Sequence, residues 1–210
     1  MVLSKKIKEI LKILKSNYPE ADCALNYSNP LQLLISTILS AQCTDKRVNQ
    51  VTKTLFKKYK SIKDFSNLDR TILEKEIRST GFFRQKAKWI QESCKKIEQD
   101  FHGQVPKTME LLTSLPGVAR KTANVVMGTA FNIASGIVVD THVKRISKRL
   151  GLTKKQDPVK IEEDLMKIIP QENWIWFSHA LITHGRALCK AIRPLCSQCP
   201  LNNICPSSLV

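Results

Sequence analysis

The chain has 210 residues, 42% of them hydrophobic, enough to bury one large core or two small ones without leaning on disulfides. Its 34 Lys and Arg against 18 Asp and Glu leave a formal charge of +16, which implies a polyanionic partner, nucleic acid ahead of an anionic membrane surface. Leu3-Ser4-Lys5-Lys6-Ile7-Lys8 breaks any apolar leader, and no later run approaches the ~20 apolar residues of a membrane span, so the expectation is a soluble cytoplasmic protein, not a secreted one.

Helical periodicity runs nearly throughout. Leu3, Ile7, Ile10, Leu11 and Leu14 form one apolar stripe with lysines on the other face. The stripe is narrow and aliphatic, which predicts a docked first helix rather than one lying on a membrane. Asn29 and Pro30 offer a cap and a first-turn proline to Leu31–Ala41, apolar almost all round and so central to the fold. Thr44 or Asp45 caps the next helix, towards Tyr59, and Asp69 starts another that ends before Gly81. Ala87, Ile90, Cys94, Ile97 and Phe101 mark a long helix closed near Gly103. Pro106 and Thr108 open a helix through Leu115, which Pro116-Gly117 stops. Thr141 caps a helix ending near Gly151, and Asp157-Pro158 starts one through Ile168. Asn173 begins the last helix, with Trp174, Trp176 and Phe177, which delivers Cys189. Gly136-Ile137-Val138-Val139 is too short to insist on a sheet, and the predicted class is all-α. Cys23, Cys43 and Cys94 read as reduced packing residues.

The other four cysteines close the chain as Cys189-x6-Cys196-x2-Cys199-x5-Cys205, in a loop punctuated by Pro194, Pro200 and Pro206. This reads as one four-ligand metal site. Only Cys196 and Cys199 form a short knuckle, which puts an iron–sulfur cluster ahead of zinc, and two disulfides well behind. Upstream, Leu115-Pro116-Gly117-Val118-Ala119-Arg120-Lys121 sets a Pro-Gly hairpin directly before a new helix, where outward N–H groups suit a phosphate oxygen. Lys121 falls in the first turn, where the helix dipole disfavours its protonated form, as Schiff-base chemistry requires; a solvated lysine is the bland reading. Asp140, at the next helix start, is either an N-cap or a functional carboxylate.

Taken together these pieces resemble the endonuclease III family of helix-hairpin-helix DNA repair glycosylases. The resemblance covers almost the whole chain. It rests most on Leu39-Ser40-Ala41-Gln42-Cys43-Thr44-Asp45, Leu115–Ala123, Val139-Asp140-Thr141-His142-Val143, His184-Gly185-Arg186 and the cysteine spacing. It implies two helical lobes with a cleft between them. One, residues 24–134, carries the helix-hairpin-helix at about 108–130; the other joins 1–23 to 135–210 and holds a [4Fe–4S] cluster on Cys189, Cys196, Cys199 and Cys205.

The implied activity is that of a bifunctional glycosylase and abasic-site lyase of base excision repair, monomeric and acting on oxidised pyrimidines in duplex DNA. Lys121 matches the family's lyase nucleophile and Asp140 its carboxylate. Gln42 fills the space the damaged nucleotide leaves, with Phe82 as a second wedge in a place where relatives often have Leu. Gly117, Val118, Ala119 and Arg120 of the hairpin, Thr141 and His142, and Lys190 and Arg193 of the cluster loop are the implied DNA contacts. Ala119 stands where many members have a second hairpin glycine, and allows close phosphate approach when its φ is negative. A non-enzymatic DNA-binding protein would need neither Lys121 nor Asp140, and a monofunctional glycosylase would keep only Asp140.

Overall fold

The structure is a computed structural model describing residues 4–210, so Leu3 of the first apolar stripe lies outside the described residues. Among these residues every regular element is a helix or a short 3-10 turn, and no strand forms. The helices are α1 (Lys5–Asn17), α2 (Pro30–Leu39), α3 (Asp45–Lys58), α4 (Ile62–Asn67), α5 (Arg70–Ile77) and α6 (Phe83–Asp100). They continue as α7 (Met109–Thr113), α8 (Arg120–Phe131), α9 (Thr141–Arg149), α10 (Pro158–Ile168) and α11 (Trp174–Ala187). No helix among the described residues is long and apolar enough to cross a membrane. The chain divides into two compact units, Cys23–Ile133 and Met1–Asp22 with Ala134–Val210, each with its own core.

In the unit Cys23–Ile133, α2 is the central element. Asn29 caps it through a side-chain bond from the Gln32 N–H, Pro30 sits in its first turn, and all but Pro30 and Gln32 are buried. A helix with so little polar surface has to be covered on every side, and α3, α6 and α8 pack on it. Thr44, Asp69 and Thr108 cap α3, α5 and α7 as their sequence positions predict. The short α4, closed by a Ser61–Asp64 capping box, was not expected; six residues are too few to display a helical period.

In the other unit, α1 buries Ile7, Ile10, Leu11 and Leu14 against a core that includes Ile146, Leu165 and Phe177 of α9, α10 and α11. Isolated helices of 13 residues are marginal in water, so burying these side chains, each worth about 2 kcal/mol, is what holds α1 in place. The β-branched run Ile137-Val138-Val139 is a buried segment outside any regular element; the Val138 N–H finds the Ser178 hydroxyl at 3.0 Å instead of a strand partner. The cap of α9 is Asp140, one residue before the expected Thr141. Either residue type caps well, and the buried Val139 and Val143 set the register.

Candidate active site and cluster-binding loop

The hairpin between α7 and α8 is a tight turn closed by the Val118 N–H donating to the Leu115 carbonyl at 3.1 Å. Pro116 takes its second position and Gly117, at φ +76°, its third, which only a residue tolerant of positive φ fills at low cost. Gly117 has a second reason to lack a side chain, since a Cβ there would come within 2.7 Å of the Trp89 indole. Ser93, one turn along α6 from Trp89, donates to the Pro116 carbonyl at 2.8 Å, so α6 backs the hairpin with a ring and a hydroxyl. Val118 turns into the core and its N–H closes the turn, leaving Ala119 and Arg120 as the exposed members. Ala119 lies at φ −86°, within the range that allows close approach.

No side chain caps the N-terminus of α8. First-turn N–H groups at such an end attract an anion, and Lys121, the second residue of the helix, is exposed beside them. The same unit places Gln42 and Phe82 on separate turns, and both are left-handed, at φ 53° and 47°. Non-glycine residues seldom hold that conformation without a reason. Both are exposed, Phe82 at 64%, an unusual state for a phenyl ring.

In the other unit, Asp140 Oδ1 accepts the His142 and Val143 N–H groups, each at 2.8 Å. His142 is turned inward, its Nδ1 3.1 Å from Arg145 Nη2, and burial is the chief influence lowering its pKa. A Cβ at Gly185 would meet this ring at 2.8 Å, so glycine here lets α9 and α11 close on each other. Thr141 is exposed next to the cap.

The four C-terminal cysteines line one cavity of about 420 Å³, counting its open mouth, together with Ile146, Leu150, Leu188, Leu195 and Leu201. Burial pushes the Cys199 thiol up, and the charges of Cys189, Cys205 and Cys196 push it further. Four thiolates this close on an apolar wall are self-repelling until a cationic centre balances them, which is the chemistry of a cluster ligand set. Among the described residues no three ligating side chains converge on a single ion, so what the cysteines share is a cavity. The residues fit the [4Fe–4S] group.

Around this loop lie residues that sequence reasoning missed. Arg145 donates to the Cys189 carbonyl through Nε and Nη2, at 3.0 and 2.8 Å. Arg149, one turn on, reaches Cys189 Sγ at 3.3 Å and the Lys190 carbonyl at 2.7 Å. His184, pushed down to about 4 by burial, sits with Nδ1 2.9 Å from the Tyr18 hydroxyl and Nε2 3.6 Å from Cys199 Sγ. These groups fix the start of a loop whose tip carries exposed Lys190 and Arg193, the latter left-handed at φ 52°. Purified anaerobically, the protein is expected to be yellow-brown, with about four iron and four sulfide per chain. Cys199→Ser should lower soluble yield and thermal stability, because the loop depends on its metal. Colourless protein with one zinc per chain would overturn the ligand assignment.

Residues 35–171 match the family described as HhH-GPD superfamily base excision DNA repair protein, and residues 189–205 the iron-sulfur binding domain of endonuclease III. The endonuclease III of Synechocystis sp. is 58% identical over 200 residues, covering 95% of this chain and 91% of that protein. A non-covalent endonuclease III–DNA complex superposes with a TM-score of 0.93 at 44% identity, covering 99% of this chain and 97% of that one. A trapped endonuclease III–DNA covalent intermediate gives the same TM-score and identity, covering 99% and 98%.

Proposed function

The chain belongs to the endonuclease III family of helix-hairpin-helix DNA repair proteins, and on that premise we propose that Lys121 is its nucleophile and Asp140 its catalytic carboxylate. The protein is a bifunctional DNA glycosylase and abasic-site lyase of base excision repair, and it carries one [4Fe–4S] cluster. The observation that carries the residue assignment is an exposed amine in the first turn of an uncapped helix, directly behind a tight Pro-Gly hairpin.

The damaged nucleotide has to leave the stack before chemistry starts. Gln42 and Phe82 hold the opened duplex, Gln42 facing the orphaned base. The neutral Lys121 amine forms a bond to sugar C1′ as the C1′–N bond breaks and the base leaves with that electron pair. Asp140 stabilises the positive charge developing on the sugar and takes part in removing the amine proton. The C1′–O4′ bond then breaks, O4′ taking its electron pair and a proton as the sugar ring opens, and the C1′ adduct becomes an imine. The imine acidifies the 2′ hydrogen; its loss expels the 3′ phosphate by β-elimination and cuts the strand 3′ to the lesion. Cys189, Cys196, Cys199 and Cys205 would hold the cluster, which would tie the two ends of the loop together, and the loop presents Lys190 and Arg193 to the DNA backbone. Gly117, Ala119 and Arg120 take a phosphate at the hairpin. The protein works as a monomer in the cytoplasm, associated with the nucleoid if its source is bacterial. The trapped covalent DNA intermediate of a 44% identical relative supports the amine chemistry.

Incision of a panel of oxidised pyrimidines, an abasic site and A·G mismatches, each with borohydride trapping, tests this reading. Trapping on the oxidised pyrimidines and abasic site supports it; excision without a trapped complex would return the monofunctional alternative. Binding supplies a second test. For undamaged duplex, log K should fall with log salt by roughly 0.9 per phosphate neutralised. Gln42→Ala and Phe82→Ala should keep that slope, since neither side chain is charged, and lose preference for an abasic-analogue duplex over an intact one. Equal losses on both duplexes would remove the wedge assignment.

A further inference from the structure

Lys86, on α6, is 1% exposed, yet it is an ammonium on a protein with ample surface for it. Among the described residues no carboxylate lies within ion-pair distance of it. Its Nζ donates instead to two main-chain carbonyls, Leu39 and Thr80, each at 2.8 Å. Burying a charge is costly, and one bonded only to neutral carbonyls gains less than one facing a carboxylate. Such a group persists where the geometry it fixes matters.

The two carbonyls share a feature. Leu39 is the last residue of α2, three positions before Gln42; Thr80 ends a 3-10 turn, two positions before Phe82. Leu39 O is one of the carbonyls a helix end leaves without an intrahelical partner, at the negative pole of the helix dipole, where a cation is favoured. From that carbonyl the chain runs through a turn closed by the Cys43 N–H to the Ser40 carbonyl, and Gln42 sits in it left-handed. From Thr80 it runs through Gly81, at φ 70° and ψ 159°, a conformation essentially reserved for glycine, into left-handed Phe82. One buried ammonium therefore ties the roots of both turns together. Burial is the larger influence lowering the Lys86 pKa, and the Cys43 thiol next to Gln42 opposes it.

We propose that Lys86 is a positioning residue that fixes Gln42 and Phe82 relative to each other, so that the two enter an opened duplex as one device. This rests on the reading of Gln42 and Phe82 as wedges. An apolar side chain in its place would leave both carbonyls buried without a donor, and each turn would relax on its own.

The test measures affinity for matched intact and abasic-analogue duplexes, well below the thermal midpoint of each variant, with folding checked by circular dichroism. Lys86→Met should reduce the preference for the abasic duplex about tenfold, the scale of one lost directed contact, with the salt slope unchanged. Lys86→Gln, which can still donate to one carbonyl, should lose less, and it decides the matter if Lys86→Met does not fold. Added to the Gln42→Ala, Phe82→Ala double variant, Lys86→Met should lower the preference no further, because its effect passes through those residues. A merely structural lysine would lower thermal stability and leave the ratio of the two affinities alone; that outcome, or a full additive loss on the double variant, overturns the proposal. If Gln42→Ala and Phe82→Ala themselves retain the preference, the wedge reading fails first, and the role of Lys86 goes with it.

Discussion

Lys121→Gln is expected to bind lesion-bearing duplex almost as tightly as the parent, while base excision falls by at least about 1,000-fold and borohydride trapping disappears. The separation of effects follows from where the side chain sits. Lys121 is exposed, on the second residue of α8, and it enters no ion pair among the described residues. Replacing an exposed helical lysine by glutamine changes stability by no more than about 0.5 kcal/mol, because both are good helix formers. Binding should survive because it is spread over the hairpin N–H groups, the uncapped end of α8 and the remaining basic surface. The covalent step has no such redundancy. Glutamine can donate a hydrogen bond to the sugar but cannot form the imine, so β-elimination has no route. Single-turnover excision and trapping on the same duplex read the two losses together. A variant that still forms a trapped complex would place the nucleophile on another amine.

Much of this fold was legible because helix starts are written locally. Asn29-Pro30, Thr44, Asp69, Thr108 and Asp157 each cap the helix their position predicts. Where two capping residues adjoin, as Asp140 and Thr141 do, propensity cannot choose, and the burial of Val139 and Val143 decides. The division into units was not legible from composition. The first helix packs with a segment more than 100 residues away, and nothing in the residues around Asp22 or Ala134 announces that. The candidate site divides the same way. The cysteine spacing and the Pro-Gly hairpin are short patterns that carry their chemistry with them. Lys86 bonds Leu39, Arg145 and Arg149 bond Cys189, and Tyr18 bonds His184, each across 40 or more residues of sequence. Among 34 basic residues, no local feature separates those three from solvated ones.

Asp140→Asn should fold like the parent and lose at least about 100-fold in base excision, the scale seen when one aimed electrostatic group is removed. The structure makes this substitution unusually clean. Oδ1 alone takes both capping bonds, from the His142 and Val143 N–H groups, and an amide oxygen can take the same two. Asn caps a helix about as well as Asp, so α9 should keep its start and its packing. What disappears is the charge, and two neighbours report it. The Asp140 carboxylate raises the pKa of His142 and of His179 against the larger, lowering influence of burial. Asp140→Asn should therefore move both imidazoles further down, which ring-proton titration by NMR can follow. Asp140→Ala provides the contrast, since it loses the cap as well and should cost about 1 kcal/mol of stability. If Asp140→Asn shifts the histidines yet excises nearly as fast as the parent, the carboxylate is present as a charge but idle in the chemistry. Asp140 would then be a cap and nothing more, and the charge on the sugar would need another partner.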